Sequence, residues 1–112
     1  MEPHDFEPKL AQAVQNVEKY GSLYGDANAL SIYLQDMKKV VLATQMAKSE
    51  AKSIAAKEME ALQSEEYRNH LEAAKEAAGE AGRCKAQYVR WQSQFESLRS
   101  LISFTKRQMD LI

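Results

Sequence analysis

From Tyr67 to the end of the chain, apolar side chains return at alternating steps of three and four residues. Tyr67, Ala74, Ala81, Tyr88, Phe95, Ile102 and Met109 hold one position of a heptad, and His70, Ala77, Cys84, Trp91, Leu98, Thr105 and Ile112 hold the position three later. Only His70 and Thr105 interrupt the apolar seam. A seven-residue repeat sustained this long is the signature of a coiled-coil helix, because two such positions per heptad form one stripe that must be covered by a neighbouring helix. Ser64 stands just before this pattern and Glu65 and Glu66 follow it. A hydroxyl there accepts from the free N–H groups of a first turn, and the two carboxylates complement the positive helix end. The pattern predicts a helix over about 65–111.

Upstream, Phe6, Leu10, Ala13, Val14, Val17 and Tyr20 follow helical spacing after Asp5, a candidate cap, with Pro8 in the opening turn where its missing N–H is tolerated. Gly21 and Gly25 predict a stop and a turn, so a first helix is expected over about 6–20. Asp26 then caps a second helix that meets no Gly or Pro until about Leu62, roughly 55 Å of helix. Its expected stripe is Leu30, Leu34, Met37, Val41, Thr44, Ala47, Ala51, Ile54, Ala55 and Leu62.

Folding the third helix back on the second about residue 64 sets Ala55, Ala51 and Ala47 opposite Ala73, Ala77 and Ala81, a thin section where axes approach closely. The same folding sets Val40 and Val41 against Tyr88, Met37 against Trp91, and Leu34 and Leu30 against Phe95 and Leu98. The expected fold is therefore all-α: a long antiparallel, coiled-coil-like helical hairpin with a short N-terminal helix packed at its open end. The alternative is one uninterrupted helix running through residue 64, which would need a partner chain to bury its seam. With 112 residues, a single helical domain is expected over 1–112.

Composition agrees with long helices: hydrophobic residues make up 45% and charged residues 28%, with four Gly and two Pro. No apolar run approaches the ~20 residues that cross a bilayer, and the acidic start lacks the basic and apolar regions of a signal peptide. A cytoplasmic protein with no membrane association is expected. The lone cysteine, Cys84, lies in the seam and reads as an inert core thiol rather than a reactive one.

The net charge of −1 conceals a gradient, with two Lys against six acids in residues 1–36 and six bases against two acids in residues 82–112. Such polarity fits an acidic N-terminal part packed near a basic C-terminal part, in the same chain or in a second subunit. A homo-oligomer is expected. Val89, Leu101, Phe104 and Leu111 fall off the seam and form the expected partner or oligomer surface, unless the first helix covers them.

No catalytic constellation accompanies this pattern. His4, His70 and Cys84 have no metal-ligand spacing, and there is neither a Gly-x-Ser-x-Gly turn nor a phosphate-cradling Gly loop. Glu65 and Glu66 are explained as capping acids rather than a general acid–base pair. An enzyme is not expected, nor a metal, cofactor or small-molecule substrate.

One segment permits a ligand. Arg83 to Trp91, continued by Gln92, Gln94, Phe95, Arg99, Lys106 and Arg107, interleaves bases with aromatics, the composition of grooves that bind single-stranded nucleic acid. Tyr88, Trp91 and Phe95 occupy seam positions and read as core, whereas Lys85, Arg90, Arg99, Lys106 and Arg107 fall outside it and are the candidate phosphate contacts. The expectation is that these five line one face.

The stretch Ser64-Glu65-Glu66-Tyr67-Arg68-Asn69-His70-Leu71-Glu72-Ala73, with the later spacing of Tyr88, Trp91, Phe95-Glu96 and Leu98-Arg99-Ser100, resembles small helical accessory proteins of tailed bacteriophages. These are similar in general layout to the UvsY recombination mediators. The resemblance implies a helical oligomer in the host cytoplasm that binds single-stranded DNA and a recombination or replication protein. It carries over no individual binding residue. The competing class is a protein-only adaptor or inhibitor that captures a host or phage protein.

Overall fold

The computed structural model describes residues 3–110, which form a 3₁₀ turn (Pro3–Phe6) and three α-helices: α1 (Glu7–Lys48), α2 (Ile54–Leu62) and α3 (Glu65–Asp110). There is no strand among the described residues. The all-α, long antiparallel hairpin is as expected, with α1 and α3 as its arms. Leu111 and Ile112 lie outside the described residues.

The breaks fall elsewhere than the punctuation suggests. The expected helices over 6–20 and 26–62 are replaced by one helix that runs through Gly21, Gly25 and Asp26. Neither glycine adopts a positive φ. A glycine costs a helix only ~1 kcal/mol, and the inward stripe continues past both through Tyr20, Tyr24, Ala27, Ser31 and Leu34. Packing along that stripe outweighs the propensity loss. The short helix is therefore α2, between the arms, and not an N-terminal one.

The chain instead leaves the helix at residues 49–53, where no Gly or Pro stands. Serine hydroxyls make this break. Ser49 Oγ accepts from the Ala51 N–H at 3.1 Å, and Ser53, with extended backbone, accepts from the Ala56 N–H at 3.1 Å as the N-cap of α2. The Ser49 hydroxyl also donates to the Glu60 carboxylate, tying the loop to α2.

The second turn lies where Ser64 predicts it, so the uninterrupted helix is excluded. Ser64 Oγ accepts from the Tyr67 N–H at 3.2 Å and donates to the Ala61 carbonyl at 2.6 Å, serving the start of α3 and the end of α2 together. The Arg68 guanidinium donates to the Gln63 carbonyl at 2.9 Å from Nη2.

Two compact units arise from this arrangement, one of residues up to Gly25 with residues from Gly82 onward, the other of Asp26–Ala81. In the first, Phe6, Ala13 and Leu98 are buried, with Leu10, Trp91, Phe95 and Ile102 packed around them. In the second, Ala61, Tyr67, Ala74, Ala77 and Ala81 are buried. Alanines dominate because two helices in a single layer enclose only a narrow strip between their axes.

The α3 seam behaves as its heptads predict as far as Thr105 and fails at Met109, which is 48% exposed. Every seam residue from Tyr67 to Thr105 is buried or half-buried, and Gln87 alone joins them from outside the seam on that helix. The expected partners differ. Leu34 meets His70 rather than Phe95, with its carbonyl accepting from His70 Nε2 at 2.7 Å. Tyr88 lies on Gly21 and stacks with Tyr24 rather than meeting Val40 and Val41. The shift follows from the break at residues 49–53, which moves the fold-back toward the N-terminus. Val14, Leu30, Thr44, Ala47, Ile54, Ala55 and Leu62 of the expected stripes are exposed.

Candidate nucleic-acid interface

The basic residues of α3 take their places from its heptads. Lys85, Arg99 and Lys106 occupy the position immediately after the seam, spaced by multiples of seven, so they share one flank of the helix over roughly 30 Å. Arg107 falls near the outer edge, and Arg90 lies on the opposite flank. All five are exposed. The expectation that they line one face therefore holds for three of them and fails for Arg90 and Arg107, because a 3.6-residue turn carries their offsets around the helix.

Arg90 instead joins α1. Lys9 and Gln12 of α1 face Arg90, Trp91 and Gln94 of α3 across a hollow of about 260 Å³, all within the first unit. The Arg90 guanidinium sits 5.2 Å from the Trp91 ring centroid, a cation–π contact that holds the charge beside the hollow. Arg99 is held in the same way, 5.8 Å from the Phe95 ring centroid. Among the described residues, two cations, two amides and the exposed part of an indole line the hollow, with no carboxylate. Such a set can pair with phosphate through the cations and hydrogen-bond a base edge through the amides.

Tyr88, Trp91 and Phe95 are each half-buried, as seam residues should be. Their rings take part in helix packing, and Trp91 also borders a hollow. Lys9 and Gln12 are the residues that sequence reasoning missed. Their positions repeat at helical spacing outside the apolar stripe of α1, which reads as a solvated face until the pairing of α1 with the end of α3 is known.

The expected partner surface divides. Leu101 and Phe104, 47% and 59% exposed, are neighbours one helical turn apart, while Val89 is on the other flank. Leu111 lies outside the described residues. Leu101 and Phe104 are not covered by α1, contrary to the possibility that the N-terminal helix shields them.

Cys84 is buried, consistent with a core thiol. Among the described residues no group of three His, Cys, Asp or Glu could hold a metal ion, and no helix is long and apolar enough to cross a membrane. No protein-family model, curated protein or solved structure matches this chain.

Proposed function

We propose that this chain is a non-enzymatic accessory protein, of the tailed-phage kind it resembles, that binds single-stranded nucleic acid during recombination or replication in the host cytoplasm. The observation that carries the reading is the hollow in which Lys9 and Arg90, from two helices, flank Gln12, Trp91 and Gln94. Cations drawn from both arms around an aromatic wall suit a sugar-phosphate chain better than they suit an apolar ligand. Lys85, Arg99 and Lys106 add a second positive surface on the other flank of α3.

Binding of a labelled single-stranded oligonucleotide, followed by fluorescence anisotropy across a salt series, tests this reading. The wild type is expected to bind with an affinity that falls steeply with salt. Lys9→Glu with Arg90→Glu is expected to remove binding at full helicity, since both side chains are exposed. Unchanged binding by that double variant would sink the assignment.

A protein-only adaptor is the second reading, and the exposed Leu101 and Phe104 favour it. No oligonucleotide binding by the wild type even at low salt would select it.

A further inference from the structure

A second apolar stripe runs along α1 beside the one that packs on α3. Leu30, Tyr33, Met37, Val40 and Thr44 follow steps of three and four residues, the spacing that accepts the ridge of another helix. Tyr33 and Val40 are 58% and 51% exposed. Met37, Val40 and Thr44 floor a groove in the second unit, and Glu66 of α3 stands on its wall. Asp36 lies on the other border of the stripe, next to Lys39. Small residues, Ala29 and Ala43, occupy the rest of that border and leave room for a helix to approach.

The chain carries a segment of matching character. At the end of α3, Leu101 and Phe104 form an exposed apolar pair one helical turn apart, bordered by Ser97 and Gln108, with Arg107 one turn beyond Phe104. The charges of the two units are opposite. Residues 26–81 hold ten acids and seven bases, whereas residues 1–25 and 82–112 together hold six acids and eight bases.

We propose that a second copy of this chain seats Leu101 and Phe104 of its α3 on the Tyr33–Met37–Val40 stripe, with its Arg107 directed to Glu66. Two apolar patches are removed from water together, and opposite charges at their borders select this pairing over stripe on stripe, which would bring like charges together. The contact joins two different patches. Made reciprocally, it closes a dimer; made once per chain, it extends.

Light scattering of the full chain without nucleic acid tests the proposal, independently of oligonucleotide binding. The wild type is expected at twice the monomer mass or more, with association weakening as salt rises. Val40→Glu and Phe104→Glu are each expected to weaken association at least tenfold while helicity by circular dichroism stays unchanged. The deciding step mixes the two variants. Each retains the patch the other lacks, so a mixture should associate where neither does alone. A monomeric wild type, or a mixture that fails to associate, would overturn the proposal, as would association unaffected by either variant.

Discussion

Gly21 lies directly beneath the ring of Tyr88: a Cβ at Gly21 would stand 3.2 Å from Tyr88 Cε2 and 3.4 Å from Cδ2. The residue that reads as a helix stop is thus a notch, used where a large seam side chain crosses the facing helix. Tyr24, one turn along, stacks on the same ring with centroids 6.4 Å apart and planes 24° from parallel. Gly25 and Gly82, by contrast, would bring a Cβ within 4 Å of nothing.

The three glycines should therefore respond differently to alanine. Gly25→Ala and Gly82→Ala each gain helix propensity at no steric cost and are expected to stabilise by ~0.5–1 kcal/mol. At Gly21 the same gain is offset by displacement of the Tyr88 ring, so Gly21→Ala should fall below both. Gly21→Leu should destabilise by about 1–3 kcal/mol through overpacking. Urea unfolding followed by circular dichroism ranks the four variants, and a Gly21→Ala gain equal to that of Gly25→Ala would refute the notch.

His70 is polar in an apolar seam, and its Nε2 donates to the Leu34 carbonyl at 2.7 Å. That carbonyl belongs to a mid-helix residue, so the imidazole adds a bond across the arms without being needed to satisfy the backbone. His70→Ala should accordingly cost the net value of one hydrogen bond, ~0.5–1.5 kcal/mol, plus a small packing penalty. His70→Leu, which restores packing but not the bond, should recover part of the loss. Complete recovery by leucine would show that the bond contributes nothing to stability.

Ser53 and Ser64 both cap helices, yet their substitutions should not be equal. Ser53→Ala removes one acceptor from the start of α2 and is expected to cost ~0.5–1 kcal/mol. Ser64→Ala removes an acceptor for the Tyr67 N–H and a donor to the Ala61 carbonyl, so ~1–2 kcal/mol is expected. Aspartate separates the two roles, since it can accept but not donate. Ser53→Asp should be tolerated, whereas Ser64→Asp should keep part of the defect; amide hydrogen exchange across residues 54–70 measures both.

These contrasts explain which parts of the fold were legible. The α3 seam could be read because a repeat held from Tyr67 to Thr105 leaves one face to bury, whatever covers it. Ser64 was legible because two acids and a heptad start after it. The break at residues 49–53 was not, because it depends on the hydroxyls of Ser49 and Ser53 rather than on a Gly or Pro, and Ala56 stands where a capping box would have Glu. Once that break is missed, every predicted pair across the arms moves. For the candidate site this had one consequence: Arg90 could be picked out as basic, but Lys9 and Gln12 could not be brought to it.

The basic surface itself divides into two parts that should fail in different ways. Lys85, Arg99 and Lys106 lie in a column along one flank of α3, where they can meet phosphates. Replacing each by alanine should lower the salt dependence of single-strand binding by ~0.7 for every phosphate left unneutralised, equally for every base composition. Gln12 and Gln94, in the hollow with Lys9, Arg90 and Trp91, carry hydrogen-bonding groups but no charge. Gln12→Ala with Gln94→Ala should leave the salt slope unchanged and reduce the preference for an oligonucleotide over inorganic polyphosphate used as competitor. Equal competition by polyphosphate against the wild type and the glutamine variant would mean that the hollow reads charge alone.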